Sequence, residues 1–211
     1  MKKLIFGLVI LLAAGMVSAQ TDPLWMRYPA ISPDGTQIVF SFKGDLYKVA
    51  SIGGTAVALT NNPAYDTRPV WSHDGKKIAF ASDRFGNFDV YVISAGGGEP
   101  NRLTFNSASD IPVDFSPDNS RVIFTTNRHD LSQSARFPID GIFRKIFEVP
   151  VTGGRSVLIN EAGTDYAHYN PDGSQIIFED IKGFEDPWRK HHTSSVTRDI
   201  WLYDGKTKSY S

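Results

Sequence analysis

The sequence predicts an all-β fold, a β-propeller. Four blades of four-stranded antiparallel sheet are expected, the last incomplete, in a propeller of six. Three observations carry this. A turn of the type Ser-x-Asp-Gly recurs four times, at residues 29–35, 69–75, 112–119 and 166–173. Each copy is followed by an apolar stretch ending in Phe: Phe40, Phe80, Phe124 and Phe178. The marker residues Asp34, Asp74, Asp118 and Asp172 stand 40, 44 and 54 residues apart, the repeat length of one propeller blade. Outside the first nineteen residues no segment has the 3.6-residue apolar period of an amphipathic helix.

In chain order, residues 1–19 read as a secretory signal peptide rather than as fold. Lys2 and Lys3 precede an apolar run, and Val17, Ser18 and Ala19 form a small-residue cleavage site. The run is short for a bilayer span, so no membrane association is expected after cleavage. Removing it takes the formal net charge from −1 to about −3, which gives no electrostatic footprint for nucleic acid. The chain has no cysteine, so disulfides and thiolate metal sites are excluded.

The blades are expected at residues 24–62, 63–106, 107–160 and 161–211. Residues 63–106 show the pattern best. A first strand runs to Ser72, a turn follows at Asp74 and Gly75, and a second strand runs from Lys77 to Ser82. A third covers Phe88 to Ser94 and, after Gly96, Gly97 and Gly98, a fourth carries Arg102, Leu103 and Thr104. β-branched and aromatic residues suit the strands, and Asp and Gly suit the turns. The last blade shows only the start of a fourth strand, and the chain reads as the beginning of a longer protein.

The recurrent carboxylates have a structural explanation. Asp45, Asp89 and Asp199 precede third strands, where a short carboxylate accepts backbone N–H groups; the third blade carries Lys145 there instead. The turn aspartates recur because the turn recurs. His73 replaces the turn proline and is expected at the surface. His191 and His192 are neighbours in sequence, and adjacent residues of an extended chain point to opposite sides, so they do not form a metal pair. No Gly-x-Ser-x-Gly elbow occurs. No catalytic residue, metal site or cofactor is assigned to the chain.

Two stretches break the repeat, one between Thr126 and Lys145 and one between Asp180 and Asp199, both joining a second strand to a third. Such loops emerge on the face that also carries the blade-to-blade connections, and insertions confined to one face mark a binding surface. Their aromatic and cationic residues are the candidate contacts to a peptide or protein partner: Arg136, Arg144, Trp188, Arg189, Lys190, His192 and Arg198. Arg holds carboxylates bidentately, and Trp and Arg are favoured at recognition surfaces.

The blade pattern Pro69-x-Trp71-Ser72-x-Asp74-Gly75 with Ile78 and Phe80, then Asp89-Val90-Tyr91, Gly97-Gly98 and Arg102-Leu103-Thr104, resembles the WD40-like repeat of TolB and of tricorn proteases. The insertions, with Arg136 to Gly141 and Trp188 to Trp201, are similar to the N-terminal propeller of exported tricorn-like proteases of the S41 serine peptidase group. The resemblance implies a six-bladed propeller that scaffolds, gates or filters peptides, with PDZ and peptidase domains elsewhere in the full protein. It implies a periplasmic or secreted location and leaves homo-oligomerisation open. The alternative it leaves is a non-enzymatic, TolB-like periplasmic interaction module. A propeller fused to an amidohydrolase or prolyl-oligopeptidase domain is a third.

Overall fold

The computed structural model describes residues 25–128, 144–161, 163–179 and 199–211; the expected signal peptide lies outside them. Among the described residues are sixteen strands and no helix. The first sheet is β1 (Arg27–Ile31), β2 (Gln37–Phe42), β3 (Asp45–Ala50) and β4 (Val57–Ala58). The second is β5 (Asp66–Trp71), β6 (Lys77–Ser82), β7 (Asp89–Ser94) and β8 (Asn101–Arg102). The third is β9 (Asp110–Phe115), β10 (Arg121–Thr126), β11 (Lys145–Pro150) and β12 (Val157–Asn160). The fourth is β13 (Ala167–Tyr169), β14 (Gln175–Glu179), β15 (Ile200–Asp204) and β16 (Ser209–Tyr210). Each is an antiparallel meander in chain order. The first strands β1, β5, β9 and β13 pack in succession, which makes them the inner strands of a propeller.

The repeated turn is a closed hydrogen-bond unit. In the first copy the Ser32 hydroxyl donates to Asp34 Oδ1 at 2.6 Å, and the Thr36 N–H donates to the same oxygen at 3.0 Å. The Gln37 N–H donates to Ser32 Oγ at 2.9 Å. The unit recurs around Asp74 and Asp118, and Asn170 takes the serine's place beside Asp172. These bonds, the serine hydroxyl's first, hold the carboxyls of Asp34, Asp74 and Asp118 below the usual range, Asp118 at about 2. The next residue adopts a left-handed backbone, and in the third copy Asn119 fills that position at φ 59°.

The aspartates before the third strands are structural too. The Thr104 hydroxyl accepts the Val90 N–H at 2.9 Å and donates to Asp89 Oδ1 at 3.2 Å. Thr60 does the same between Leu46 and Asp45. Each pair closes the fourth strand onto the third.

Alternation with period two sends one face of every sheet to each neighbour. Ile78, Phe80, Tyr91 and Ile93 pack with Val39 and Leu46 of the first blade. Ala79, Val90 and Val92 pack with Phe115, Val122, Phe124, Phe147 and Val149 of the third. Ile123 and Ile146 meet Ile176, Phe178 and Tyr203 of the fourth. The core is thus three inter-blade layers. Phe80 and Phe124 are fully buried, each worth roughly 2–3 kcal/mol of apolar burial. The outward face of the fourth blade leaves Ile177, Ile200 and Leu202 exposed.

Consecutive blades are tied by one repeated backbone bond. Asp66 donates to Gly44 O and Asp110 to Phe88 O, both at 2.7 Å, and Thr164 donates to Arg144 O at 2.9 Å. The acceptors sit just before the third strands, so the loop between second and third strands shares a face with the blade-to-blade connection. That is the face expected for the insertions, whose described ends are Arg128 and Arg144 for the first and Glu179 and Asp199 for the second.

Candidate binding groove

On the inner strands the period-two alternation fails at one repeated place. The register of β1 with β2 shifts between Arg27 and Ala30, and that of β5 with β6 shifts between Thr67 and Val70. Each bulge contains a non-glycine residue with a left-handed backbone, Tyr28 at φ 52° and Arg68 at φ 51°. Each is followed by a proline, Pro29 or Pro69, whose lack of an N–H suits an unpaired position. Such a conformation costs on the order of 1–2 kcal/mol, and bulges of this kind re-aim side chains next to functional sites. Tyr28 and Arg68 occupy equivalent positions, four residues before the turn's Ser32 and Ser72. Pro112 and Tyr166 hold that position in the third and fourth blades.

All four residues line one groove of about 510 Å³ on the concave inner surface. Its bed is apolar, with Ile31, Val70, Trp71 and Val113. The Trp71 indole N–H donates to Ala30 O at 3.0 Å, which fixes the ring across the first blade boundary. The Arg68 guanidinium lies over the Tyr28 ring, 5.0 Å from its centroid. Tyr28 and Tyr166 are 40% and 51% exposed, and so present their rings to the groove.

Two histidines complete the lining. Asp114, buried on β9, accepts the N–H groups of Phe115 at 2.8 Å and Tyr169 at 3.0 Å. His73 Nε2 and His168 Nδ1 each lie 3.5 Å from one of its oxygens. Asp114 therefore connects the second, third and fourth blades. It raises the pKa of His168, chiefly through the hydrogen bond between them. His73 is part-exposed, as its turn position suggests, and its Nε2 also lies 3.0 Å from Phe115 O. Among the described residues no three His, Cys, Asp or Glu side chains come together as a metal site.

Of the seven residues singled out from the sequence, the described one is Arg144. It faces Asp165 at 3.6 Å, and Asp165 lines the groove. Arg136, Trp188, Arg189, Lys190, His192 and Arg198 lie outside the described residues. Sequence reasoning missed Tyr28, Arg68, Tyr166 and Asp114. The signal available was positional: three large aromatic or cationic side chains at one offset before a recurring turn. It also missed three carboxylate–guanidinium pairs on the insertion-bearing face. Arg84 holds Asp66 at 2.9 Å, Arg102 holds Asp89 at 2.6 Å, and Arg128 grips Asp110. Arg84 and Arg128 also lie over ring pairs, Phe80 with Tyr91 and Phe124 with Phe147.

The family model of the tricorn protease N-terminal beta propeller domain matches residues 23–211. The chain belongs to this family. Solved structures agree on the architecture. A protein assigned as TolB from Agrobacterium tumefaciens is 26% identical with a TM-score of 0.66, covering 87% of this chain and 62% of its own. TolB from Acinetobacter baumannii is 18% identical, TM-score 0.62, over 88% of this chain and 42% of that one. The tricorn protease is 20% identical, TM-score 0.64, over 90% of this chain and 18% of that one. The latter two likenesses show the propeller fold alone. The chain thus spans less than two thirds of the length of each. No curated protein matches its sequence.

Proposed function

We propose that this chain is the propeller module of an exported tricorn-like serine protease and that its inner groove receives extended peptides. It acts as scaffold and gate, and bond cleavage belongs to a peptidase domain outside this sequence. The observation that carries the reading is the pair of bulges that turn Tyr28 and Arg68 onto one apolar groove. Family membership supports the parentage, and the basic-apolar-small pattern of residues 1–19 supports export. A groove of this volume, apolar with few polar groups, suits a ligand of several residues.

A second reading is a TolB-like periplasmic module that holds a protein partner without cleaving it. It is favoured by the higher identity to the Agrobacterium TolB than to the tricorn protease. The full-length protein, incubated with a mixture of blocked peptides and assayed by mass spectrometry, separates the two. Cleavage abolished by a serine-directed inhibitor is the expected result. Peptide retention without cleavage selects the second reading, and neither retention nor cleavage overturns both.

A further inference from the structure

The cationic side chains around the groove differ in how they are paired. Arg84, Arg102, Arg121, Arg128 and Arg144 each have a carboxylate partner. Among the described residues no carboxylate lies within ion-pair distance of Arg68. Its guanidinium instead rests on the Tyr28 ring, a contact that orients the group and leaves its N–H edges available. The bulge backbone fixes the aim of both side chains. The one carboxylate in the lining, Asp165, is turned to Arg144. A carboxylate entering the groove therefore finds an oriented guanidinium that no described carboxylate compensates, whereas an ammonium finds no free anionic partner among the described lining residues.

The rest of the lining defines what carries that carboxylate. The groove follows the inner strands from Tyr28, Arg68 and Tyr166 near the insertion-bearing face to Pro33 and His73 at the turn face. The inner strands beside it, Arg27–Ile31 and Asp66–Trp71, are five and six residues long, so an extended segment alongside them has about that length. Pro29, Pro69 and Pro112 withdraw N–H donors from the wall, so side chains rather than strand addition must give the selectivity. Resting on the reading above, the geometry points to an extended, apolar peptide segment with one acidic side chain, held by Arg68 against Tyr28, as the ligand of this groove.

The test uses the full-length protein and three fluorescent hexapeptides of alanine and valine. The first has a central glutamate and both termini blocked. The second has glutamine at that place. The third has glutamine and a free C-terminal carboxylate. The glutamate peptide is expected to bind at least about tenfold more tightly than its glutamine isostere, with an advantage that shrinks as salt rises. In Arg68→Asn, which removes the charge with a residue that tolerates the left-handed backbone, the advantage falls to within about twofold. Arg68→Lys, which keeps the charge and loses the fork, retains a partial advantage and carries the test if the Asn variant fails to fold. Equal binding of the first two peptides overturns the acidic preference and leaves the groove reading intact. Binding of the third as tight as the first assigns the carboxylate to a chain terminus and overturns the side-chain assignment. Binding of none overturns the groove reading itself.

Discussion

Replacing Arg128 with Gln puts the electrostatics of the blade junctions to the test. Asp110 is fully buried at the start of β9, and burial raises its pKa despite the facing guanidinium. Arg128 meets it bidentately, with Nε 3.0 Å from Oδ1, and lies over the rings of Phe124 and Phe147. Removing one partner of a buried pair strands the other charge, at a cost of roughly 3–5 kcal/mol. Burial lifts the Asp110 carboxyl above its ordinary value of 3.8, so the stability it contributes is greatest below that value and is lost as pH rises through the folded value. Urea denaturation at pH 7 should therefore show Arg128→Gln destabilised by about 3–5 kcal/mol. The double variant Asp110→Asn with Arg128→Gln should recover part of the loss, because no charge remains buried. A cost below about 1 kcal/mol, the range of exposed ion pairs, would refute the reasoning. So would a double variant less stable than the single one.

Thr104→Val keeps the shape but leaves the buried Val90 N–H without its acceptor; a loss of about 1–3 kcal/mol in the urea midpoint analysis is expected. Equal stability would mean the bracket at Asp89 is incidental. The raised pKa of His168 comes chiefly from Asp114, so the stability it adds is fully present below about 6.5 and fades as pH rises through the folded value. The side chain is 60% exposed, which makes that contribution small. An NMR titration of His168 should show its pKa fall toward 6.5 in Asp114→Asn, and an unmoved pKa would rule out the pairing.

Much of the scaffold was readable because its devices are local. A serine two residues before an aspartate, with glycine next, closes its own hydrogen bonds, and Ile78 and Phe80 reach one face because a strand alternates. Asp45 accepts the backbone N–H of Asn62, the kind of bond the sequence suggests at a strand entry, whereas Asp89 is held by the side chains of Thr104 and Arg102. The groove was not readable. Tyr28 and Arg68 are not residue types that advertise a left-handed backbone, so the bulges that re-aim them leave no compositional mark. The pairing of Asp110 with Arg128 spans a hairpin and needs the register of β9 on β10 before it becomes visible. The insertion residues stood out by composition. Arg144, at the root of one insertion, reaches the groove rim through Asp165.

Photo-crosslinking the full-length protein with a blocked acidic hexapeptide that carries a benzophenone at its centre tests whether the inner strands are where ligand sits. Adducts mapped by mass spectrometry to Tyr28, Pro69 or Tyr166, and lost on competition with unlabelled peptide, are the expected result. Competable adducts confined to the outer edge, at Ile52, Val57 or Tyr210, would contradict it.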